Sequence, residues 1–149
     1  MDTLAIRPLT VGDLTTAASL LTQLNPETPA EIIATRLDII LTEHSHYQLF
    51  GAFADGKLAG VAGAWIGTKI WCGRYLEIDN LVVDPAQRSA GIGGQLIRHL
   101  EALAHDRDCK VIVLDSYTAN HPSHRLYHRL GFEIWGFHFI KPIGDWKAS

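Results

Sequence analysis

The chain has 149 residues, 47% hydrophobic and 19% charged, enough apolar material for one continuous core, so a single domain over residues 1–149 is expected. Lys and Arg number 13 against 16 Asp and Glu, a formal net charge of −3 without any basic run. That excludes a dominant nucleic-acid partner, whose affinity would come from cations meeting phosphates, and suits a small or exposed cationic substrate better.

In chain order, Leu4-Ala5-Ile6-Arg7-Pro8-Leu9 reads as a first strand. Thr10 and Asp13 then open a helix with Leu14, Ala17, Ala18, Leu21 and Leu24 at helical spacing, stopped by Asn25-Pro26. A second helix is expected to open at Thr28, with Pro29 in its first turn, Glu31 closing a capping box, and Ile32, Ile33, Leu37, Ile40 and Leu41 facing inward. Tyr47 to Ala54 and Lys57 to Ile66 flank Asp55-Gly56, a two-residue hairpin signature, and are read as antiparallel neighbours. Arg74 to Val83 is the fourth and central strand.

That strand passes through Asp84-Pro85 into a glycine-studded loop and then a helix with the stripe Ile92, Leu96, Ile97, Leu100, Leu103 and Ala104. The order strand, loop, helix builds an anion site. At a helix start several N–H groups lack intrahelical acceptors and the peptide dipoles leave partial positive charge there. Gly91, Gly93 and Gly94 place no side chain between those N–H groups and a pyrophosphate, and Arg88 adds a full charge at the rim. The loop lacks the further glycine and the acidic partner of a dinucleotide fingerprint, and the Gly-Lys-Ser/Thr of a P-loop.

Lys110 to Asp115 is a nearly uninterrupted apolar strand. Asn120-His121-Pro122 caps a short helix, Ser123 to Leu130, ended by Gly131; Phe132 to Ile140 is expected to form a final strand, and Pro142 begins the tail. Cys72 and Cys109 lie far apart without metal or redox spacing; Cys109 reads as a core residue, and a disulfide between the two stays open. His121, His124 and His128 share one helix face, but no Glu follows His124 as a metalloprotease would need, so no metal is expected. The start, Met1-Asp2-Thr3-Leu4, lacks a basic region leading into an apolar one, and no run approaches the roughly eighteen apolar residues of a membrane span. Neither export nor a membrane partner is expected, and the cytoplasm is the expected location.

The spacing Arg88-x-x-Gly91-x-Gly93 after a strand ending Val83-x-Pro85 resembles the acyl-CoA pyrophosphate loop of the GNAT superfamily of N-acetyltransferases. Asn120-x-x-Ser123-x-x-Leu126-Tyr127-x-x-Leu130-Gly131-Phe132 resembles its second signature. Together the motifs cover residues 74–132, with Ser123 where Ala is usual and Asn80 where a second acidic residue is common.

The resemblance implies an α/β (α+β) fold with a mixed, mostly antiparallel sheet whose strands 4 and 5 run parallel and splay apart. It implies pantetheine bonded to the main chain of Leu81, Val82 and Val83, and pyrophosphate on Arg88, Ser89, Ala90, Gly91, Ile92, Gly93 and Gly94, with Asn120 on the far side of the arm. Acetyl-CoA would be the co-substrate. Glu77 and Asp79 are both acidic positions in branches of the family; two apart on a strand, they and Leu81 would share a face, and like charges there would raise one another's pKa. Glu77 is the favoured base, through a water, Tyr127 would protonate the departing sulfur, and a bulge near Val82 would free an N–H for the carbonyl. The implied activity is direct acetyl transfer to a primary amine of a small molecule or peptide; the alternative is a non-catalytic acyl-CoA sensor of the same fold. Acceptor residues are expected around Asn25 to Thr28, Gly67 to Gly73 and Trp135, and family analogy suggests a homodimer through the C-terminal strand.

Overall fold

The protein is described from a computed structural model over residues 4–146, Ser89 by its backbone alone. The first three residues, part of the expected leaderless start, and the last three of the expected tail lie outside that range. The chain divides after Leu114 into two compact units.

The first unit is a five-stranded sheet in the order β1 (Leu4–Pro8), β2 (Tyr47–Ala54), β3 (Lys57–Lys69), β4 (Gly73–Val83), β5 (Val111–Leu114). Neighbours are antiparallel except β4 and β5, which run parallel. Asp55 at φ 50° and Gly56 at φ 82° make the expected turn between β2 and β3, both in the left-handed region that Asp tolerates and Gly prefers.

Strand alternation gives the sheet two apolar faces. One carries Tyr47, Leu49, Val61 and Val82 into a core with Ala17, Ala18 and Leu21 of α1 (Leu14–Leu21) and Ile33 and Leu37 of α2 (Ala30–Glu43). The other buries Phe50, Ala62, Leu76 and Ile78, with Leu96, Ile97 and Leu100 of α3 (Ile92–Asp106) fully buried. Sealing one such leucine from water contributes about 1.5–3 kcal/mol.

Thr10 and Asp13 form their reciprocal cap: Thr10 N–H donates to Asp13 Oδ2 at 3.0 Å, and Gly12 N–H to Thr10 Oγ1 at 3.3 Å. Helix α2 starts at Ala30, two residues later than expected. Pro29 holds the cap position, with no side-chain oxygen to offer, and its carbonyl accepts from Ile32 and Ile33 at 3.0 and 3.1 Å. Ile32, expected to face inward, is 43% exposed. Cys72 and Cys109 are both free thiols, and Cys109 is half-buried rather than core.

The second unit holds α4 (His121–Arg129). Phe132 to Ile140, expected as a strand, forms none: it has the composition of one, but no described strand shares a hydrogen-bond ladder with it. Within the segment, His138 Nδ1 lies 3.3 Å from Asp115 Oδ2. Among the described residues no helix is long and apolar enough to cross a membrane.

Candidate active site

Glu77 and Asp79 project from the face of β4 that meets α1 and α2. Tyr47, Trp65 and Glu77 form one row across β2, β3 and β4, and Gly63 opposite Asp79 lies two residues along the same face. Trp65 Nε1–H donates to Asp79 Oδ2 at 2.8 Å, and Asn80 Nδ2–H donates to Tyr47 Oη at 3.1 Å. Gly63 makes room for this cluster, because a Cβ there would run into the Tyr47 hydroxyl and Asp79 Oδ1. Asp79 Oδ1 is buried and accepts no hydrogen bond.

Burial pushes the Asp79 carboxyl above its ordinary pKa against the pull of its hydrogen bond from Trp65; the neighbouring Glu77 charge, expected to do this, is not among the causes. Burial first, and the Asp79 charge second, push the Tyr47 phenol well up, so it stays protonated.

The strand pairing shifts register between Val61 and Gly63: Val61 faces Val82 and Gly63 faces Asp79, so one residue of β3 stands opposite two of β4. Asn80 absorbs the extra residue at φ 53°. The bulge falls two residues before the expected Val82, and it resets the alternation. Val82, not Leu81, returns to the face of Glu77 and Asp79, which corrects the expectation for Leu81.

Beside Glu77 lies an open cleft of about 480 Å³, bordered by Glu43 at the end of α2, by His44 and His46 from the link between α2 and β2, and by Trp65, Tyr75 and Glu77 from the sheet. His44 meets the Trp65 ring edge-on at 5.5 Å, and Tyr47 leans on it at 4.6 Å.

At the other end of β4 the sheet opens. β5 pairs with Tyr75 to Ile78 only, so Leu81, Val82 and Val83 run beyond the last rung of that ladder. The chain then makes a 3-10 turn over Pro85–Ala90, with Asp84 Oδ1 accepting from Ala86 N–H at 3.0 Å, and enters α3 through Gly91 at φ 73°. The first turn of α3, Ile92 to Gly94, has no preceding helical carbonyls to bond. Side chains at Gly91 and Gly94 would meet open space or the Arg98 guanidinium at 3.6 Å, so the approach is clear. Arg88 is exposed at the rim; its Nε donates to Val83 O and a terminal nitrogen to Gln23 Oε1, each at 3.3 Å.

In the second unit Asn120 caps α4, its Oδ1 accepting from Ser123 N–H at 3.4 Å. Tyr127 is half-buried with its ring 5.9 Å from Phe132, and burial raises its phenol pKa against a hydrogen bond with Ser123. His124 Nε2 lies 2.9 Å from Tyr117 O and His128 Nδ1 3.2 Å from Phe132 O, so backbone carbonyls engage these rings.

Residues 16–132 match the model of the acetyltransferase (GNAT) family. The chain belongs to that family. A Bacillus subtilis protein assigned as a ribosomal protein bS18-alanine N-acetyltransferase is 27% identical over 99 residues, 66% of this chain and 61% of that protein. The streptothricin acetyltransferase of Streptomyces lavendulae is 36% identical over 83 residues, 56% of this chain and 42% of its own length. This chain thus spans less than two thirds of either. The solved aminoglycoside N-acetyltransferase AAC(6')-Iy, in complex with a bisubstrate analogue joining CoA to acetylneamine, is 25% identical, covering 95% of this chain and 99% of that one with a TM-score of 0.82. The five-stranded mixed sheet with β4 and β5 parallel is the GNAT fold.

Sequence reasoning about this GNAT chain missed Tyr47 and the histidines at 44 and 46. Nothing local marks them; only the register that puts Tyr47 and Trp65 in the row of Glu77 brings them to the cleft.

Proposed function

We propose that the protein transfers the acetyl group of acetyl-CoA to a primary amine of a small molecule or peptide by direct attack in a ternary complex. The observation that carries this is the open end of β4: main-chain groups of Leu81 to Val83 without a rung to β5, leading straight into a helix start suited to a diphosphate. Pantetheine would extend along Leu81, Val82 and Val83, with pyrophosphate on the N–H groups from Arg88 to Gly94 and Asn120 bonding the arm. The CoA ligand of the solved relative supports acetyl-CoA as co-substrate.

An alkyl ammonium has a pKa of about 10.4, so roughly one acceptor molecule in a thousand is neutral at pH 7 and a base must help. Glu77 fills that role, taking the proton through a water, because it borders the cleft; Asp79 is committed to Trp65 and buried. The amine nitrogen bonds the carbonyl carbon, an N–H at the bulge steadies the oxyanion, the C–S bond breaks, and Tyr127 gives the thiolate a proton. Burial raises the Tyr127 pKa, so the phenol is protonated at neutral pH and stabilises the departing sulfur by hydrogen bonding ahead of full transfer.

The test is thiol release from acetyl-CoA with a panel of amines, for wild type and Tyr127→Phe. Amine-dependent release that falls about 10²-fold or more in the variant, with acetyl-CoA affinity kept, is the expected result. Binding of acetyl-CoA with turnover of no acceptor would favour the sensor reading instead.

A further inference from the structure

The cleft beside Glu77 has a second charged border. Glu43 is the last residue of α2 and lines the cleft together with the two residues after it. A carboxylate is out of place there for helix stability, since the final carbonyls carry partial negative charge that favours Lys, Arg or His, and the last turn of α2 has no basic residue. The helix end and the Glu43 carboxylate therefore put negative potential on one side of the cleft; no Lys or Arg is among the described lining residues, and the Lys69 ammonium lies over Tyr75, on the sheet side.

The cleft is also preformed. Ile66 N–H donates to His46 O at 3.0 Å and Tyr47 N–H to His44 O at 3.1 Å, which pins the link that follows Glu43 to the sheet. Trp65 is held by His44, Tyr47 and Asp79, so its ring is a fixed wall, and such a ring attracts cations. The ring of Tyr75 already has an ammonium over it, Lys69 Nζ at 4.8 Å from its centroid, leaving Trp65 as the aromatic surface for a ligand.

We propose that this cleft is the acceptor subsite and that it selects small molecules carrying at least two amino groups. One, as the neutral amine, is presented beside Glu77 for acetylation; the second, kept as an ammonium, sits at Glu43 and the end of α2, with the carbon frame against Trp65. This rests on the acetyl-transfer reading above and narrows its acceptor. The volume of about 480 Å³ lies within the usual range of small-molecule sites, about 300–1,000 Å³.

The test compares a diamine with the amino alcohol of equal chain length, in wild type and Glu43→Gln, by thiol release and by calorimetry on the CoA-loaded protein. Wild type should prefer the diamine in kcat/KM, and Glu43→Gln should reduce that preference about tenfold, through KM and with a matching loss of diamine affinity. Turnover of both amines with no diamine preference, or with one that Glu43→Gln leaves intact, overturns the proposal while the acetyl-transfer reading stands. Thiol release with neither amine overturns the acetyl-transfer reading. Calorimetry then decides the subsite: diamine binding weakened by Glu43→Gln upholds it, and binding unchanged or undetected in wild type overturns it.

Discussion

The indole N–H of Trp65 and the Oδ2 of Asp79, 2.8 Å apart, join adjacent strands across the face that carries Glu77. This bond engages the Asp79 carboxylate, and Glu77, two residues before it on the strand, borders the cleft. Burial holds the folded pKa of Asp79 above its unfolded value near 3.8, so the folded state binds more protons than the unfolded state between the two. The stability this contributes is complete below the unfolded pKa and is lost as pH rises through the folded one. Asp79→Asn keeps an acceptor for Trp65 but cannot ionise. Its stability relative to wild type should therefore rise from pH 3.5 toward pH 7, read by urea unfolding at each pH. A flat difference would show that Asp79 ionises as readily folded as unfolded.

Gly63 sits beneath this pair. A methyl group there meets the Tyr47 hydroxyl and Asp79 Oδ1 together, and neither can move without breaking a bond to Asn80 or Trp65. Gly63→Ala should cost about 1–3 kcal/mol by denaturant unfolding, the usual penalty of overpacking. Gly67→Ala, on the same strand but against the outer edge of Tyr75, serves as the comparison and should cost less.

The parts of the molecule that were legible in the sequence are those specified by neighbours in the chain. Asp55-Gly56 fixes the hairpin by its own backbone preference, and the run from Val83 to Gly94 contains every group needed to make a strand, turn and helix start. The bulge expected near Val82 falls at Asn80, because its exact position depends on how β3 pairs opposite, and the consequence is to swap Leu81 for Val82 on the site face. Tyr47 and Glu43 escaped for the same reason: they lie 30 and 34 residues before Glu77 and meet its surroundings only through strand order. Phe132 to Ile140 shows the converse error, since β-forming side chains announce a strand but a strand exists only where another backbone completes its ladder.

Glu77→Gln should lower kcat for an alkylamine about 10²- to 10⁴-fold, the range for a lost general base, while Asp79→Asn should have a smaller effect. The sharper check uses an acceptor whose ammonium pKa lies below 7. Such an amine is already neutral, so the loss in Glu77→Gln should shrink toward unity. An equal loss for both acceptors would mean that Glu77 positions the amine rather than deprotonating it.

Gly94 separates folding from binding. It lies in the first turn of α3, where glycine is less favourable than alanine by about 0.5–1 kcal/mol, and a Cβ there would meet nothing nearer than Arg98 at 3.6 Å. Gly94→Ala should thus raise stability to unfolding while intruding on the approach of a diphosphate to the helix start. The expected result is a more stable protein that binds CoA about tenfold more weakly by calorimetry, about 1.4 kcal/mol. Gly91→Ala, forced to φ 73°, should instead lose both stability and affinity, because an L side chain pays about 1–2 kcal/mol in the left-handed region. If Gly94→Ala binds CoA as tightly as wild type, the diphosphate does not rest on the N–H groups of this turn.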